Sequence, residues 1–131
     1  MSSQLVWQLV KNYNSFMVKG LNGSTFSTEP GNLFNKHSYK YSGLANEKTV
    51  HIEAGDDMAV TVTKSRTKNA QKPAAARHST TSKKHVRRQA TSLGKEVQHF
   101  RPDLKAAALA RLSAVNKSQR TKRGSKAAKS S

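Results

Sequence analysis

The chain has 131 residues, 34% of them hydrophobic, and a formal net charge of +17. That length fits one small domain with extensions and excludes two large domains, because a domain of this size needs most of its apolar residues in one core. The absence of cysteine excludes disulfides, thiolate zinc sites and cysteine catalysis, and it suits a reducing compartment.

The start, MSSQLVWQLVKN, lacks the basic region and long apolar run of a secretory signal, and no apolar run is long enough to cross a bilayer. A soluble, intracellular chain is expected. Ser2 or Ser3 can cap a short helix that runs to Val10, with Leu5, Val6, Leu9 and Val10 on one side, and Asn12 and Asn14 end it. Phe16 and Val18 alternate with polar neighbours and lead into Leu21-Asn22-Gly23-Ser24. Asn-Gly there supplies the positive φ angles of a tight hairpin, with Phe26 in the returning strand. Thr49 to Glu53 and Met58 to Thr63 alternate in the same way around Gly55-Asp56-Asp57, which predicts a second antiparallel pair, and Tyr39 and Tyr41 are candidates for a fifth strand.

From Lys64 to Thr81 no apolar residue recurs with a period, and the segment reads as a basic linker. A helical pattern begins at Ser82, where Val86, Ala90, Leu93, Val97 and Phe100 fall on one stripe that Gly94 interrupts. Pro102 suits the first position of a further helix and Asp103 suits its dipole, with Leu104, Ala108, Leu112 and Val115 forming the next stripe. The expected fold class is α+β. Residues 1–63 form a small antiparallel β module with a short N-terminal helix, 64–81 a basic linker, 82–116 a helical extension, and 117–131 a basic tail that is disordered without a polyanion.

Charge separates along the chain in the same way. Residues 1–63 hold five Lys and five acidic residues, whereas 64–131 hold nineteen Lys or Arg against Glu96 and Asp103, so the second half carries the whole excess. Blocks this one-sided repel themselves unless a counter-charge is present, and a phosphate backbone is the polymer that supplies one. Each Lys or Arg that meets a duplex phosphate releases condensed counterions, with a salt slope of about −0.9 per contact. The candidate contacts are Lys64, Arg66, Lys68, Lys72 and Arg77 in the linker, then Lys83, Lys84, Arg87, Arg88, Arg101, Lys105 and Arg111 on the helices. Lys117, Arg120, Lys122 and Arg123 add four more in the tail. Base reading on single strands needs aromatic platforms among the cations, and the basic half has only Phe100, so backbone and shape are the expected targets.

Other groupings carry little. His37, His51, His78, His85 and His99 lack metal-ligand spacing, and Asp56 and Asp57 beside Gly55 suit a turn better than catalysis. No nucleophile with a base, no phosphate-cradling glycine loop and no cofactor motif is present, so no enzymatic activity, cofactor or small-molecule substrate is expected. Asn22-Gly23-Ser24 and Asn116-Lys117-Ser118 match the glycosylation sequon by chance. Trp7 and most of the early Phe and Tyr residues are expected inside, since a module of about 60 residues needs them for a core. Glu29-Pro30-Gly31-Asn32 must form a turn or loop, open to either RNA or a protein neighbour.

SFMVK followed by FSTEPGNL, then SYKYSGLANEKTV, FRPDLKAAALARLSAV and a terminal KSS, resembles the eukaryotic large-subunit ribosomal protein L twenty-eight family over nearly the whole chain. STEPGNL and YSGLANEKTV are its most specific pieces. The resemblance implies a structural constituent of the cytosolic large ribosomal subunit, assembled in the nucleolus. Its partners would be large-subunit ribosomal RNA and neighbouring ribosomal proteins, with no membrane and no metal. A nucleolar ribosome-assembly factor shares the amino-terminal pattern resembling VWQLVKNYNSF, but it typically carries cysteines there and a longer, acid-containing carboxy-terminal part. A chromatin-type protein that coats duplex DNA is the other alternative, since Lys-, Ala- and Ser-rich tails like KRGSKAAKSS occur there. The strand-rich front, the mixed Lys and Arg and the scarcity of Pro weigh against it.

Overall fold

A computed structural model describes residues 2–130, with side chains over 2–126. The fold is α+β, as the pattern predicts. Helix α1 (Ser3–Val10) is followed by strands β1 (Met17–Lys19), β2 (Thr25–Ser27), β3 (Val50–Ala54), β4 (Val60–Ser65) and β5 (Arg77–Ser82). Helices α2 (Val86–Phe100) and α3 (Lys105–Ser130) complete it.

The local signals act as the sequence dictates. The Ser2 hydroxyl accepts from the Leu5 amide at 3.2 Å and caps α1, and the Asn14 side chain donates to the Val10 carbonyl at 2.9 Å where the helix has ended. β1 and β2 pair antiparallel with Val18 opposite Phe26, and the loop between them holds Asn22 at φ 59° and Gly23 at φ 75°. In the second sheet, of order β3-β4-β5, the Ser65 amide donates to the Thr49 carbonyl and the Gly55 amide to the Ala59 carbonyl, which fixes β3 and β4 as an antiparallel hairpin. Asp57 (φ 52°) and Met58 (φ 64°) form its left-handed turn, so Asp56 and Asp57 shape a reversal.

Three elements differ from expectation. Tyr39 and Tyr41 lie in turns, and the fifth strand is Arg77–Ser82, inside the stretch read as linker. That strand has no apolar residue to give it a period, and its order comes from ladder bonds and hydroxyl pairs, Thr61 with Thr81 at 3.2 Å and Thr63 with Ser79 at 2.9 Å. α2 therefore starts at Val86 rather than at Ser82, with His85 as its cap. Pro102 opens a 3₁₀ turn (Pro102–Leu104) that leads into α3, and α3 runs past Asn116 as far as Ser130.

The chain divides into two compact units, residues 1–51 with 64–78, and residues 52–63 with 79–131. The division does not follow the change of charge near residue 63. Of the thirteen buried apolar residues among those described, ten belong to the second unit, including Ile52, Leu93, Val97, Leu104, Leu112 and Val115. The spacings of 3 and 4 that predicted the helical stripes account for this core. The first unit is held differently, with Leu33, Ala45 and Val50 buried among polar Ser27, Glu29, Asn32 and Ser42.

The aromatic residues do not build that interior. None of the eight is buried: Trp7, Phe16, Tyr41 and Phe100 are half-buried, and Tyr13, Phe26, Phe34 and Tyr39 are exposed. Polar side chains that hydrogen-bond backbone take the inside positions instead, which removes the size argument for an aromatic core.

Candidate nucleic-acid interface

Helices α2 and α3 bury one face each, and half of the exposed polar residues described on their other faces are Lys or Arg. Arg87 and Arg88 are exposed on the first turn of α2 and, with Thr91, Ser92 and Lys95, line a shallow depression. Lys95 was not among the sequence candidates, although its spacing of eight from Arg87 places both on one helical face. Lys83 and Lys84, in the turn before α2, border a second depression together with Arg120 of α3. The structure thus brings Arg120 beside two candidates that lie 36 and 37 residues before it in sequence.

Other candidates are held by protein contacts. Arg101 caps the end of α2, is half-buried and forms an ion pair with Asp103 at 3.1 Å. Arg111 is half-buried and its Nε donates to the Ile52 carbonyl at 3.3 Å. Lys105 is exposed, with Nζ donating to Gln98 Oε1 at 3.2 Å. Lys122 and Arg123 share a cleft with Lys126, Asp56 and Asp57, so two carboxylates sit among these cations. Lys117 is exposed on α3.

The remaining candidates lie in the first unit. Lys68 and Lys72 are exposed in the turns between β4 and β5, Arg77 is exposed at the start of β5, and Lys64 is half-buried in β4. Arg66 is exposed, with Nη2 3.1 Å from His78 Nδ1.

One residue of α3 that the stripe omitted ties the helix down. Leu104, Ala108, Leu112 and Val115 are buried as predicted, and the next position of the same stripe is Gln119, also buried. Its Nε2 donates to the Ala59 carbonyl at 2.6 Å and to the Gly55 carbonyl at 3.4 Å, across the β3–β4 turn. The helical spacing of four from Val115 marks this position, but an apolar criterion passes over it. On α2, Gln89 is buried in the same manner and donates to the Ser82 carbonyl at 2.9 Å.

The STEPGNL segment turns inward. Glu29, Gly31, Asn32 and Leu33 are buried, and Gly31 adopts φ 90° with its amide donating to His51 Nδ1 at 3.2 Å. A Cβ at Gly43 would lie 2.1 Å from the Pro30 carbonyl oxygen, so this loop closes against backbone where only glycine fits. Its buried residues shape the first unit.

Among the described residues no group of three or more His, Asp or Glu could hold a metal ion, and no helix is long and apolar enough to cross a membrane. Fold and surface together define a small α+β protein that presents a band of exposed cations on two helices packed through their other faces. The chain belongs to the Ribosomal L28e protein family, whose family model matches residues 5–118. It is 40% identical over 122 residues to the large ribosomal subunit protein eL28 of Dictyostelium discoideum, covering 92% of this chain and 91% of that protein. It is 35% identical over 130 residues to the protein of that name in Schizosaccharomyces pombe (strain 972 / ATCC 24843), covering 93% of this chain and 96% of the relative. The Caenorhabditis elegans protein of that name is 42% identical over 66 residues, covering 49% of this chain and 52% of the relative.

Proposed function

We propose that this protein is a structural constituent of the large subunit of the cytosolic ribosome, with ribosomal RNA and neighbouring ribosomal proteins as its partners and assembly in the nucleolus. It has no catalytic role. The full-length similarity to proteins of that name supports the ribosomal role. The observation that carries RNA binding is the meeting of Lys83, Lys84 and Arg120 around one depression, with Arg87, Arg88 and Lys95 around another. Cations carried on a folded backbone need less ordering when a phosphate arrives than those of an equally charged loose chain, which favours binding. The exposed linker cations Lys68, Lys72 and Arg77, and Lys117 on α3, extend the contact along RNA backbone.

The test is sedimentation of an extract containing the tagged full chain on density gradients at low and high salt. Comigration with large subunits and polysomes, lost only at high salt, is the expected result. Migration with chromatin, or with nucleolar precursors alone, would overturn it in favour of a duplex-DNA coat or an assembly factor.

A further inference from the structure

The exposed aromatic residues of the first unit are ordered, and they are interleaved with cations. Residues 34–41 read FNKHSYKY, so ring and charge alternate along one irregular segment. Trp7 lies against His37 with ring centroids 5.1 Å apart and against the edge of Tyr39 at 6.1 Å. Phe34 and Tyr41 form an edge pair at 5.1 Å, with Lys36 Nζ 5.8 Å from the Phe34 centroid and Lys40 Nζ 5.4 Å from that of Tyr41.

The backbone beneath these rings is fixed from inside. Buried Asn32 accepts from the Lys36 amide at 3.2 Å and donates to the Lys36 carbonyl at 2.7 Å. Asn46 donates to the Tyr39 carbonyl at 2.7 Å, the Tyr39 hydroxyl bonds Ser3 Oγ at 2.7 Å, and His37 Nε2 donates to the Lys11 carbonyl. Phe34 and Tyr39 nevertheless keep 41% and 37% of their surface open. The acidic residues up to position 51 are Glu29, which is buried, and Glu47, while Lys36 and Lys40 lie against the rings.

We propose that Trp7 and residues 34–41 form a stacking site for unpaired RNA bases, separate from the phosphate-binding helices; this rests on the RNA-binding reading above. Unpaired bases splayed from a structured RNA stack on Tyr, Phe, Trp and His faces, while adjacent Lys side chains meet their phosphates. A pre-ordered set of open rings with cations between them supplies both. An apolar protein partner would gain nothing from the Lys residues placed against the rings. Phosphate contact alone leaves the open rings unused.

Trp7 is the only tryptophan, so its emission reports on this site alone. The full chain is titrated with a short single-stranded oligoribonucleotide, an abasic strand of equal length and an RNA duplex, reading Trp7 quenching and, separately, anisotropy of labelled RNA. The expected result is quenching by the single strand and not by the abasic strand. Phe34→Leu with Tyr39→Leu should weaken single-strand binding by about tenfold or more per ring, while Tyr39→Phe retains it. Duplex affinity should stay unchanged in every variant.

If the duplex binds but the single strand leaves Trp7 emission unaltered, the stacking site is refuted and the helical interface stands. If neither RNA binds, both readings fall. The wild-type quenching is independent of any variant's folding, and equal single-strand affinity in a folded Phe34→Leu, Tyr39→Leu chain would also overturn the proposal.

Discussion

Replacing Asn32 by alanine tests whether a buried polar side chain, rather than an apolar core, organises the first unit. Asn32 is 1% exposed and makes three hydrogen bonds: it donates to the Lys36 carbonyl at 2.7 Å and to Glu29 Oε1 at 3.1 Å, and accepts from the Lys36 amide at 3.2 Å. Each neutral bond contributes about 1 kcal/mol net and the bond to a charged group about 2, so Asn32→Ala should cost about 4 kcal/mol where water cannot replace the lost partners. With a urea slope of about 2 kcal/mol per molar, the unfolding midpoint of this unit should fall by about 2 M. Trp7 fluorescence follows that unit directly. Asn32→Asp keeps an acceptor for the Lys36 amide but sets a second carboxylate against Glu29, and should destabilise at least as much. A Trp7-detected midpoint within about 0.3 M of the wild type for Asn32→Ala, a change of roughly 0.6 kcal/mol at that slope, would refute the reasoning.

The other predictions concern the helices. Gly94 is buried in α2, yet a Cβ there would lie 3.5 Å from Lys105 Cε and 3.9 Å from Leu109 Cδ2, both ordinary contacts. Gly94→Ala should therefore raise stability by about 0.5–1 kcal/mol, seen as a higher melting temperature, and a drop would mean that the helix pair cannot accept a methyl group. Arg87→Ala with Arg88→Ala should lower the magnitude of the logarithmic salt slope of RNA binding by about 2, and an unchanged slope removes both residues from the interface. From Arg120 to Lys126 every residue of α3 is exposed, with Gly124 inside the helix and Lys122 and Lys126 one turn apart. Their amides should exchange within seconds in the free chain and slow on RNA binding; strong protection without RNA would show that the helix end needs no counter-charge.

Hydrophobic periodicity made the helical stripes, both hairpins and the α+β class legible, because in each of these the apolar residues mark a buried face. Where burial is achieved by other means, the same reading fails. β5 is ordered by hydroxyl pairs and ladder bonds, so RHSTTS shows no period. Asn32 and Glu29 are interior although their residue types are those of a surface loop, since the Lys36 backbone that Asn32 satisfies and the Asn32 side chain that Glu29 accepts from are not paired with them in any sequence pattern. The aromatic residues misled in the opposite direction, because a size argument assigns them inward while polar groups occupy that space. Among the basic candidates, charge marks the second half of the chain as the cationic one. It could not separate Arg101 and Arg111, which bond protein groups, from Arg87 and Arg88, whose exposed positions leave them toward solvent.

The second unit shows how a strongly cationic segment can still fold. Its two helices are amphipathic in the ordinary sense, with Leu93, Val97, Leu104, Ala107, Ala108, Leu112 and Val115 buried, so apolar burial rather than charge pairing orders them. Ala107 and Ala108 are small and buried, and buried Gln89 and Gln119 add side-chain hydrogen bonds to the Ser82 and Ala59 carbonyls, the latter already bonded to the Gly55 amide. Self-repulsion among the outward Lys and Arg opposes that burial, and at low ionic strength it should be strongest. A phosphate polymer relieves this repulsion without changing the core, so binding and folding stability are linked: each raises the other by the same free energy. Cations on the outer faces are thus a standing electrostatic cost to the free protein, one that a bound polyanion would offset.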